Sequence, residues 1–279
     1  MKINYHRKIT TASLTLSCLA ASGLAASAAT YIYTGGNLET AANWENQADS
    51  STGVLPGSGD VGIINITDTV GNGVGTSNVI QGFEGATINH TTGTMTGAYN
   101  WTSADSTYNL SGDAVINNTT NFNSNGDNGA FNLSGNSMLI FANAASDVIA
   151  NSTNSSINLS DAATIVVPNN FDLRLSGTGA SFTITSDWTG SLIAGTTATE
   201  TDWINELVYG AEANGTIPGT APTNFVSVGG VQVTEENFSS IFKVTSDGGT
   251  GSSLTLVPEP SSAALLGLGG LALILRRRK

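Results

Sequence analysis

The chain has 279 residues and a formal net charge of −12, which comes from nine basic and 21 acidic residues. Seven of the nine basic residues lie at the two ends, so residues 29–256 contain only Arg174 and Lys243 and carry a net charge of −18. Proteins that bind DNA or RNA contact the phosphates with clustered Lys and Arg, so this composition excludes nucleic acid as a partner.

The N-terminal segment, residues 1–28, has the organisation of a secretory signal peptide. Three basic residues within the first eight positions are followed by an apolar stretch from about residue 9 to 26, and then by the small residues Ala26–Ala29. A basic region, an apolar region and a small-residue cleavage site, in this order, are typical of secretory signals. We therefore predict a signal peptide at residues 1–28, with cleavage after Ala28 or Ala29.

The exported chain contains no cysteine, because Cys18 is the only one and lies inside the signal peptide. Lipoprotein processing at Cys18 is disfavoured, since Thr15 stands three positions before it, where such signals have an apolar residue. The exported chain therefore has no disulfide, no thiol nucleophile and no cysteine ligand for a metal.

The segment after the signal peptide contains Trp44, the turn sequence Pro56–Asp60 and an apolar run that begins at Val61. The Pro-Gly pair predicts a turn, after which we expect Val61 and Ile63 to face inward on a strand. The segment resembles the opening coil of autotransporter-like β-helix proteins. Trp44 would then cover the open end of the helix; a tryptophan in a sugar-binding platform is the alternative.

His90 is the only histidine outside the signal peptide. A zinc site would need carboxylates for its remaining ligands, and a Ser-His-Asp triad would have to use His90. No Gly-x-Ser-x-Gly nucleophile motif accompanies it. We therefore expect His90 to be a polar residue on the outward face of a strand.

Three segments in the middle of the chain resemble one another. Each contains an apolar residue, Asn, Leu, Ser and a turn former, and they begin at Tyr108, Phe131 and Ile157. A second short apolar strand follows each segment. The leucines of successive segments recur at a period of roughly 20 to 26 residues, which is typical of one solenoid coil. Further candidate copies begin at Thr87 and Leu173.

Alternation along a strand predicts which side chains of each repeat face inward. The first and third residues of each segment share one face, and the Asn between them points away. We therefore expect two buried rows and one outward row: Tyr108, Phe131 and Ile157; Leu110, Leu133 and Leu159; and, outward, Asn109, Asn132 and Asn158.

These rows predict an all-β fold, a right-handed parallel β-helix in which residues 29–256 form an extracellular solenoid. About ten coils, stacked about 4.8 Å apart, would make a rod of about 50 Å. An irregular β-sandwich is the alternative, because short strands at intervals of roughly 8 to 12 residues also suit that fold.

A short helix is predicted after the repeats. Thr199–Asp202 resembles a capping box, Trp203 and Leu207 are four residues apart and share a helix face, and Gly210 can end the helix. We expect the final strands near Phe225–Val233, Phe238–Val244 and Leu254–Val257.

No catalytic or metal motif stands out. Glycoside hydrolysis needs two carboxylates at a defined separation, but acidic residues such as Asp161 lie in predicted turns. A polysaccharide lyase would have to use Arg174 or Lys243 as its base. The acidic turns Asp127–Gly129 and Asp247–Gly249 do not match known calcium loops. We therefore expect a protein that is not an enzyme and has no metal or cofactor.

The C-terminal segment, residues 257–279, has the organisation of a second targeting signal. Val257-Pro258-Glu259-Pro260 precedes an apolar segment, Ala263–Leu275, and a basic cluster. Thirteen helical residues rise only about 20 Å, against about 30 Å of bilayer hydrocarbon, so we predict a short transmembrane-type helix suited to transient insertion. The basic cluster that follows comprises Arg276, Arg277, Arg278 and Lys279.

This arrangement at residues 257–279 resembles the PEP-CTERM sorting signal of Gram-negative bacteria. The resemblance implies recognition by an exosortase-type transpeptidase, cleavage near Val257–Pro260, transient contact with the inner membrane and delivery to the cell surface. Proteins with this tail generally come from bacteria that make exopolysaccharide. A plain C-terminal membrane anchor is the alternative.

Together these features predict an exported, exosortase-sorted protein of the cell surface or the extracellular (biofilm) matrix, non-catalytic and associated with exopolysaccharide. The alternative is a β-helix protein that binds or degrades polysaccharide with carboxylates. A carboxylate pair in an aromatic groove would favour the alternative, whereas an even coat of small polar side chains would favour the matrix role.

Overall fold

The computed structural model describes residues 28–71, 82–98, 100–119, 122–124, 126–142, 148–150, 152–169, 171–196, 199–210, 225–246 and 251–258. The predicted signal peptide up to residue 27 lies outside these residues, as does the sorting tail after Pro258 with its predicted transmembrane-type helix. Within the described ranges, no helix has both the length and the apolar character needed to cross a bilayer.

The chain folds into a β-solenoid of about four turns, which confirms the predicted fold class. Each turn contributes parallel strands to three stacked rows. The first row contains Thr87–Gly97, Thr107–Leu110, Ala130–Leu133, Ser156–Leu159 and Ser181–Ile184. The second contains the end of Thr87–Gly97, then Val115–Asn118, Met138–Phe141, Thr164–Val167 and Ser191–Ala194. The third contains Asn100–Trp101, Phe122–Ser124, Val148–Ala150 and Leu173–Leu175.

Further elements close the two ends of the stack. At the N-terminal end lie Thr30–Tyr33, the 3₁₀ turn Ala41–Asn43, Trp44–Asn46 and Val61–Gly71. At the C-terminal end lie helix Glu200–Ile204, π-helix Asn205–Tyr209, Val226–Val228, Val231–Gln232, helix Phe238–Ile241, Phe242–Ser246 and Ser252–Leu256. The prediction of about ten coils was wrong, because the described residues from 199 onward build this closing structure instead of further coils.

The repeat rows are as predicted. Tyr108, Phe131 and Ile157 are in register and buried, and the three repeat leucines form a second buried row beside them. The candidate copy at Leu173 was wrong, because Leu173–Leu175 pairs with Val148–Ala150 in the second sheet. The next member of the first row is Ser181–Ile184, which keeps the alternation but has neither the Asn nor the Leu.

An aromatic column runs through the N-terminal half of the core. Seven buried rings succeed one another with centroid separations of 4.4 to 5.7 Å: Tyr33, Trp44, Phe83, Trp101, Tyr108, Phe131 and Phe122. Such pairs contribute about 1 kcal/mol each beyond the area they bury. Trp44 is fully buried and its indole N–H donates to the Leu38 carbonyl at 2.7 Å. Its place as the second ring from the N-terminal end of the column fits the capping role and not an exposed sugar platform.

The register of the first long strand differs by one residue from the prediction. Val61 and Ile63 are half-buried and face outward, while Gly62 and Ile64 face the core. The bulk of Ile88 and Trp44 explains the inward glycine, because a Cβ on Gly62 would lie 2.5 Å from Ile88 Cδ1 and 2.9 Å from the Trp44 indole ring. The predicted inward orientation of Val61 and Ile63 was therefore wrong.

The predicted capping box is present at the C-terminal end. The Thr199 hydroxyl accepts from the Asp202 backbone N–H at 3.2 Å, and the Asp202 carboxylate accepts from the Thr199 N–H at 2.7 Å. Gly210 ends the helical segment with a φ of +61°. Phe238 begins a short helix and not the predicted strand, and the strand starts at Phe242.

Substitution of the stacked corner glycine Gly112 is expected to destabilise the solenoid. Gly112 has a φ of +60°, and an added Cβ would lie 2.5 Å from the carbonyl oxygen of Thr91 in the coil below. We expect Gly112→Ala to lower the free energy of unfolding by about 3 kcal/mol, through left-handed backbone strain and this contact. Urea denaturation monitored by circular dichroism measures the change.

The matched control is Gly230→Ala. Gly230 also has a positive φ, of +82°, but its Cβ would meet no atom within 4 Å. Backbone strain alone should cost about 1 kcal/mol there. Equal losses for the two variants would show that the contact between coils is not tight.

Candidate functional site

The sorting tail leaves the folded body without a spacer. Strand Ser252–Leu256 lies between Ser191–Ala194 and Phe242–Ser246, and the Val257 N–H donates to the Ile241 carbonyl at 2.8 Å. The first residue of the predicted cleavage motif is therefore part of the fold, and Pro258 follows it into solvent. The remaining sorting residues, Glu259, Pro260, Arg276, Arg277 and Arg278, lie outside the described residues.

Two open cavities flank this exit. One, of about 410 Å³, is lined by residues 186–190 and by the segment Thr255–Pro258. The other, of about 230 Å³, shares Leu256 and Val257 with the first and includes Val231 and Ile241.

The predicted signal-cleavage residues lie at the opposite end of the chain and differ in environment. Ala28 is exposed, whereas Ala29 is half-buried and packs against the core. The Ala29 N–H donates to the Asp60 carboxylate at 2.8 Å, and its carbonyl accepts from the Val61 N–H at 2.8 Å. Among the described residues, backbone hydrogen bonding thus begins at Ala29.

His90 is a core residue, so the expectation of an outward position was wrong. It is fully buried, and strand pairing places it in the row of Leu110. Its Nδ1 lies 3.2 Å from the Tyr108 hydroxyl and its Nε2 lies 3.0 Å from the Thr92 carbonyl oxygen. Burial lowers the pKa of His90 to about 4. A neutral imidazole held by a tyrosine and a carbonyl has neither partner of a Ser-His-Asp triad.

A group of charged residues that no motif indicated lies where the π-helix packs against the third row. The Asp172 carboxylate pairs with the Arg174 guanidinium at 2.9 Å, and Asp172 is almost fully buried. Glu206 lies on the π-helix Asn205–Tyr209, which contacts strand Leu173–Leu175. Burial, with the nearby Asp172 charge as the next cause, raises the pKa of Glu206 to about 8. Glu206 is therefore largely protonated at neutral pH.

The chemistry available to this group is restricted. A protonated carboxyl near a carboxylate is the combination that glycoside hydrolysis uses. Asp172, however, is held by both Nε and Nη2 of Arg174, at 2.9 to 3.3 Å. Neither of the two cavities at the tail exit includes a residue of this group. Across the described ranges, no three His, Asp or Glu side chains are grouped so that they could hold a metal ion.

Because the pKa of Glu206 is raised, we expect the stability difference between the Glu206→Gln variant and the unsubstituted protein to grow with pH. The folded protein keeps the Glu206 proton up to about pH 8, whereas the unfolded chain loses it near 4.5, so stability falls as the pH rises between these values. We expect Glu206→Gln to stabilise the protein at pH 9 by about 2 kcal/mol more than at pH 4, after allowance for solvent screening. Urea melts at both pH values measure this difference.

The control for this prediction is Glu200→Gln. Glu200 lies in the first turn of the preceding helix and is exposed. Its substitution at an exposed surface position should change stability by less than about 0.5 kcal/mol at either pH. A pH-independent effect of Glu206→Gln would contradict the raised pKa.

The outward face of the first row carries a continuous asparagine ladder, which we define as Asn89, Asn109, Asn132 and Asn158. The side-chain amides of Asn109, Asn132 and Asn158 each donate to the side-chain Oδ1 of the asparagine one coil below, at 2.8 Å in all three bonds. This confirms the predicted outward row and extends it to Asn89. The amides are half-buried, and the ladder uses only part of their donor and acceptor capacity, while Asn158 Nδ2 also donates to Ser156 Oγ at 3.2 Å.

A second ladder lies at the corner before the first row. The Asn154 amide donates to Asn128 at 3.0 Å, and the Asn128 amide donates to Asp105 at 2.8 Å. All three residues have positive φ values, between 52° and 55°, a conformation that Asn and Asp tolerate better than most residues. The Asp127 carboxylate accepts from the Thr153 N–H at 3.0 Å, so this predicted turn aspartate holds the next coil.

Comparison with known proteins identifies the tail. A family model described as the PEP-CTERM protein-sorting motif matches residues 256–279 and confirms the predicted resemblance. The motif indicates a protein that is exported across the inner membrane, processed by an exosortase and delivered to the cell surface. No curated protein and no solved structure matches the chain.

Proposed function

We propose that this sorted protein is a non-catalytic component of the cell surface or extracellular matrix that associates with exopolysaccharide. The observation that carries the proposal is the asparagine ladder with its uncharged surroundings. The outward strand positions beside the ladder hold only small residues: Thr87, Thr107, Ala130, Ser156 and Ser181. This strip is free of charge in an otherwise acidic chain.

The chemistry of the strip suits a hydroxyl-rich polymer. The amides present donors and acceptors at each coil, and the coils repeat about every 4.8 Å along the stack. A long sugar chain could therefore make many weak hydrogen bonds in succession. Because each bond contributes little net energy, the association would depend on the length of the polymer contact.

The structural environments of the candidate catalytic groups support the non-catalytic role. His90 is buried with both ring nitrogens near protein oxygens, and Asp172 is engaged by Arg174. Glu206, with its raised pKa, is the one observation that favours the alternative of a polysaccharide-degrading protein. The test must therefore separate binding from cleavage.

The test mixes the exported protein with exopolysaccharide from its host and follows both by size-exclusion chromatography. We expect the protein to co-elute with polymer of unchanged length. If the protein shortens the polymer and the Glu206→Gln variant does not, the non-catalytic role is overturned and Glu206 is assigned as the catalytic acid. Separate elution of protein and intact polymer would overturn the exopolysaccharide association.

A pair of matched variants locates the binding face. Replacing Asn109 and Asn132 with alanine should weaken co-elution. Replacing Thr164 and Ser191, which occupy outward positions of the second row, with alanine should leave it unchanged. Equal effects of the two pairs would exclude the asparagine ladder as the binding face.

A further inference from the structure

The first coil is closed through one carboxylate. Asp60 Oδ1 accepts from the Ala29 N–H at 2.8 Å, while Oδ2 accepts from the Gly57 N–H at 3.0 Å. The Asp60 backbone N–H donates to the Gly57 carbonyl at 2.9 Å, and its carbonyl accepts from Thr87 in the next coil at 3.0 Å. The turn thus orients the Asp60 carboxylate towards Ala29.

The position of Ala29 distinguishes the two cleavage sites that the sequence left open. Cleavage after Ala29 would remove its bonds to Asp60 and to the Val61 N–H, both of 2.8 Å, together with its packing against the core. Cleavage after Ala28 removes only an exposed residue and retains these contacts.

Cleavage between Ala28 and Ala29 also changes the chemistry of the bond to Asp60. Hydrolysis adds water across the peptide bond, so Ala28 keeps the new carboxylate and the Ala29 nitrogen becomes a primary amine. An α-amine has a pKa of about 8 and takes up a proton at neutral pH. The neutral amide donor of the precursor becomes an ammonium, and a charge-assisted hydrogen bond is stronger than a neutral one.

We propose that the signal peptide is removed between Ala28 and Ala29, and that the new α-ammonium forms an ion pair with Asp60 that locks the first coil. The inference rests on the assignment of the chain as an exported protein. Export and folding are then coupled, because the N-terminal end of the solenoid reaches full stability only after the leader has been removed.

The first test maps the N-terminus. The full chain is expressed in an exporting host, and the mature protein is analysed by intact mass and N-terminal sequencing. We expect Ala29 as the first residue. A start at Thr30 would overturn the ion pair and leave the export assignment intact. A chain that retains its leader in every cell fraction would overturn the export assignment itself.

The second test measures the ion pair in two mature chains, one that starts at Ala29 and one that retains Ala28. In the first chain, Asp60→Asn should lower Tm by about 3 °C, because an ammonium–carboxylate contact is lost. In the second chain the nitrogen of Ala29 is a neutral amide, so the same substitution should lower Tm by less than half as much. Equal shifts in the two chains would overturn the ion pair.

The matched charge control is Glu84→Gln. Glu84 is exposed in the corresponding turn of the next coil, and its substitution removes one negative charge from the same end of the solenoid. We expect it to change Tm equally, and by less than about 1 °C, in both chains. A Tm loss as large as that of Asp60→Asn would indicate a general charge effect and overturn the specific pair.

Discussion

A chain that ends at Pro258 is expected to be exported in full but to lose delivery to the cell surface. The family match covers residues 256–279, and this truncation removes all of it except the first three residues. The body should remain folded, because its last backbone hydrogen bond is donated by Val257 to Ile241. The truncated protein is therefore expected in the periplasm. Cell fractionation and surface labelling of intact cells measure its distribution.

Two substitution variants test whether the effect is specific to the tail. Replacing Arg276–Arg278 with glutamine should trap the protein before surface delivery, because positive charge beside an apolar segment favours the cytoplasmic side of the membrane. Replacing Lys243, a basic residue on strand Phe242–Ser246 of the body, with glutamine should leave sorting unchanged. Full surface delivery of the truncated chain would contradict the role of the tail.

The buried rows of the solenoid were predictable because they depend on alternation and spacing alone. The apolar residues on either side of Asn132 had to share a face, and a spacing close to the length of one coil placed successive copies in register. The capping box at Thr199 was equally local, since both of its hydrogen bonds join residues three positions apart. Predictions of this kind need no knowledge of distant contacts.

The incorrect predictions concern the register of a strand or the row to which it belongs. Aligning Ile88-Asn89-His90 with Tyr108-Asn109-Leu110 places His90 in a leucine row, so this signal was available in the repeat itself. Gly62 could not be assigned in the same way, because it faces inward to accommodate a tryptophan far away along the chain. The sequence of Leu173–Leu175 resembles the repeat, yet this strand occupies a different row. Sequence resemblance alone does not specify which sheet a strand joins.

The group of charged residues around Glu206 could not be predicted from the sequence, for a physical reason. Its raised pKa depends on a π-helix that packs against strand Leu173–Leu175 and brings Glu206 close to Asp172. Neither the π-helix nor this packing has a local sequence signal. The only available hint was that Arg174 is one of two basic residues in the exported region, so that a carboxylate partner was to be expected.

A large stability loss is expected for Phe131→Ala. Phe131 is buried next to the last ring of the aromatic column, with its ring centroid 4.4 Å from that of Phe122 and 5.1 Å from that of Tyr108. Removing a buried phenyl group loses its burial and leaves a cavity that stacked coils cannot close. The free energy of unfolding should fall by about 4 kcal/mol. Urea denaturation, followed by tryptophan fluorescence and circular dichroism, measures this loss.

Two controls separate the contributions at this position. Phe225→Ala is the same substitution at a phenylalanine that is 50% exposed, and it should change stability by less than about 0.5 kcal/mol. Phe131→Leu keeps most of the buried volume but removes both ring contacts, so it should cost about 1.5 kcal/mol. A loss for Phe131→Ala no larger than that for Phe225→Ala would contradict the packing of the column. Because each coil is stabilised mainly by its neighbours, the loss should also appear as reduced amide protection in the adjacent coils.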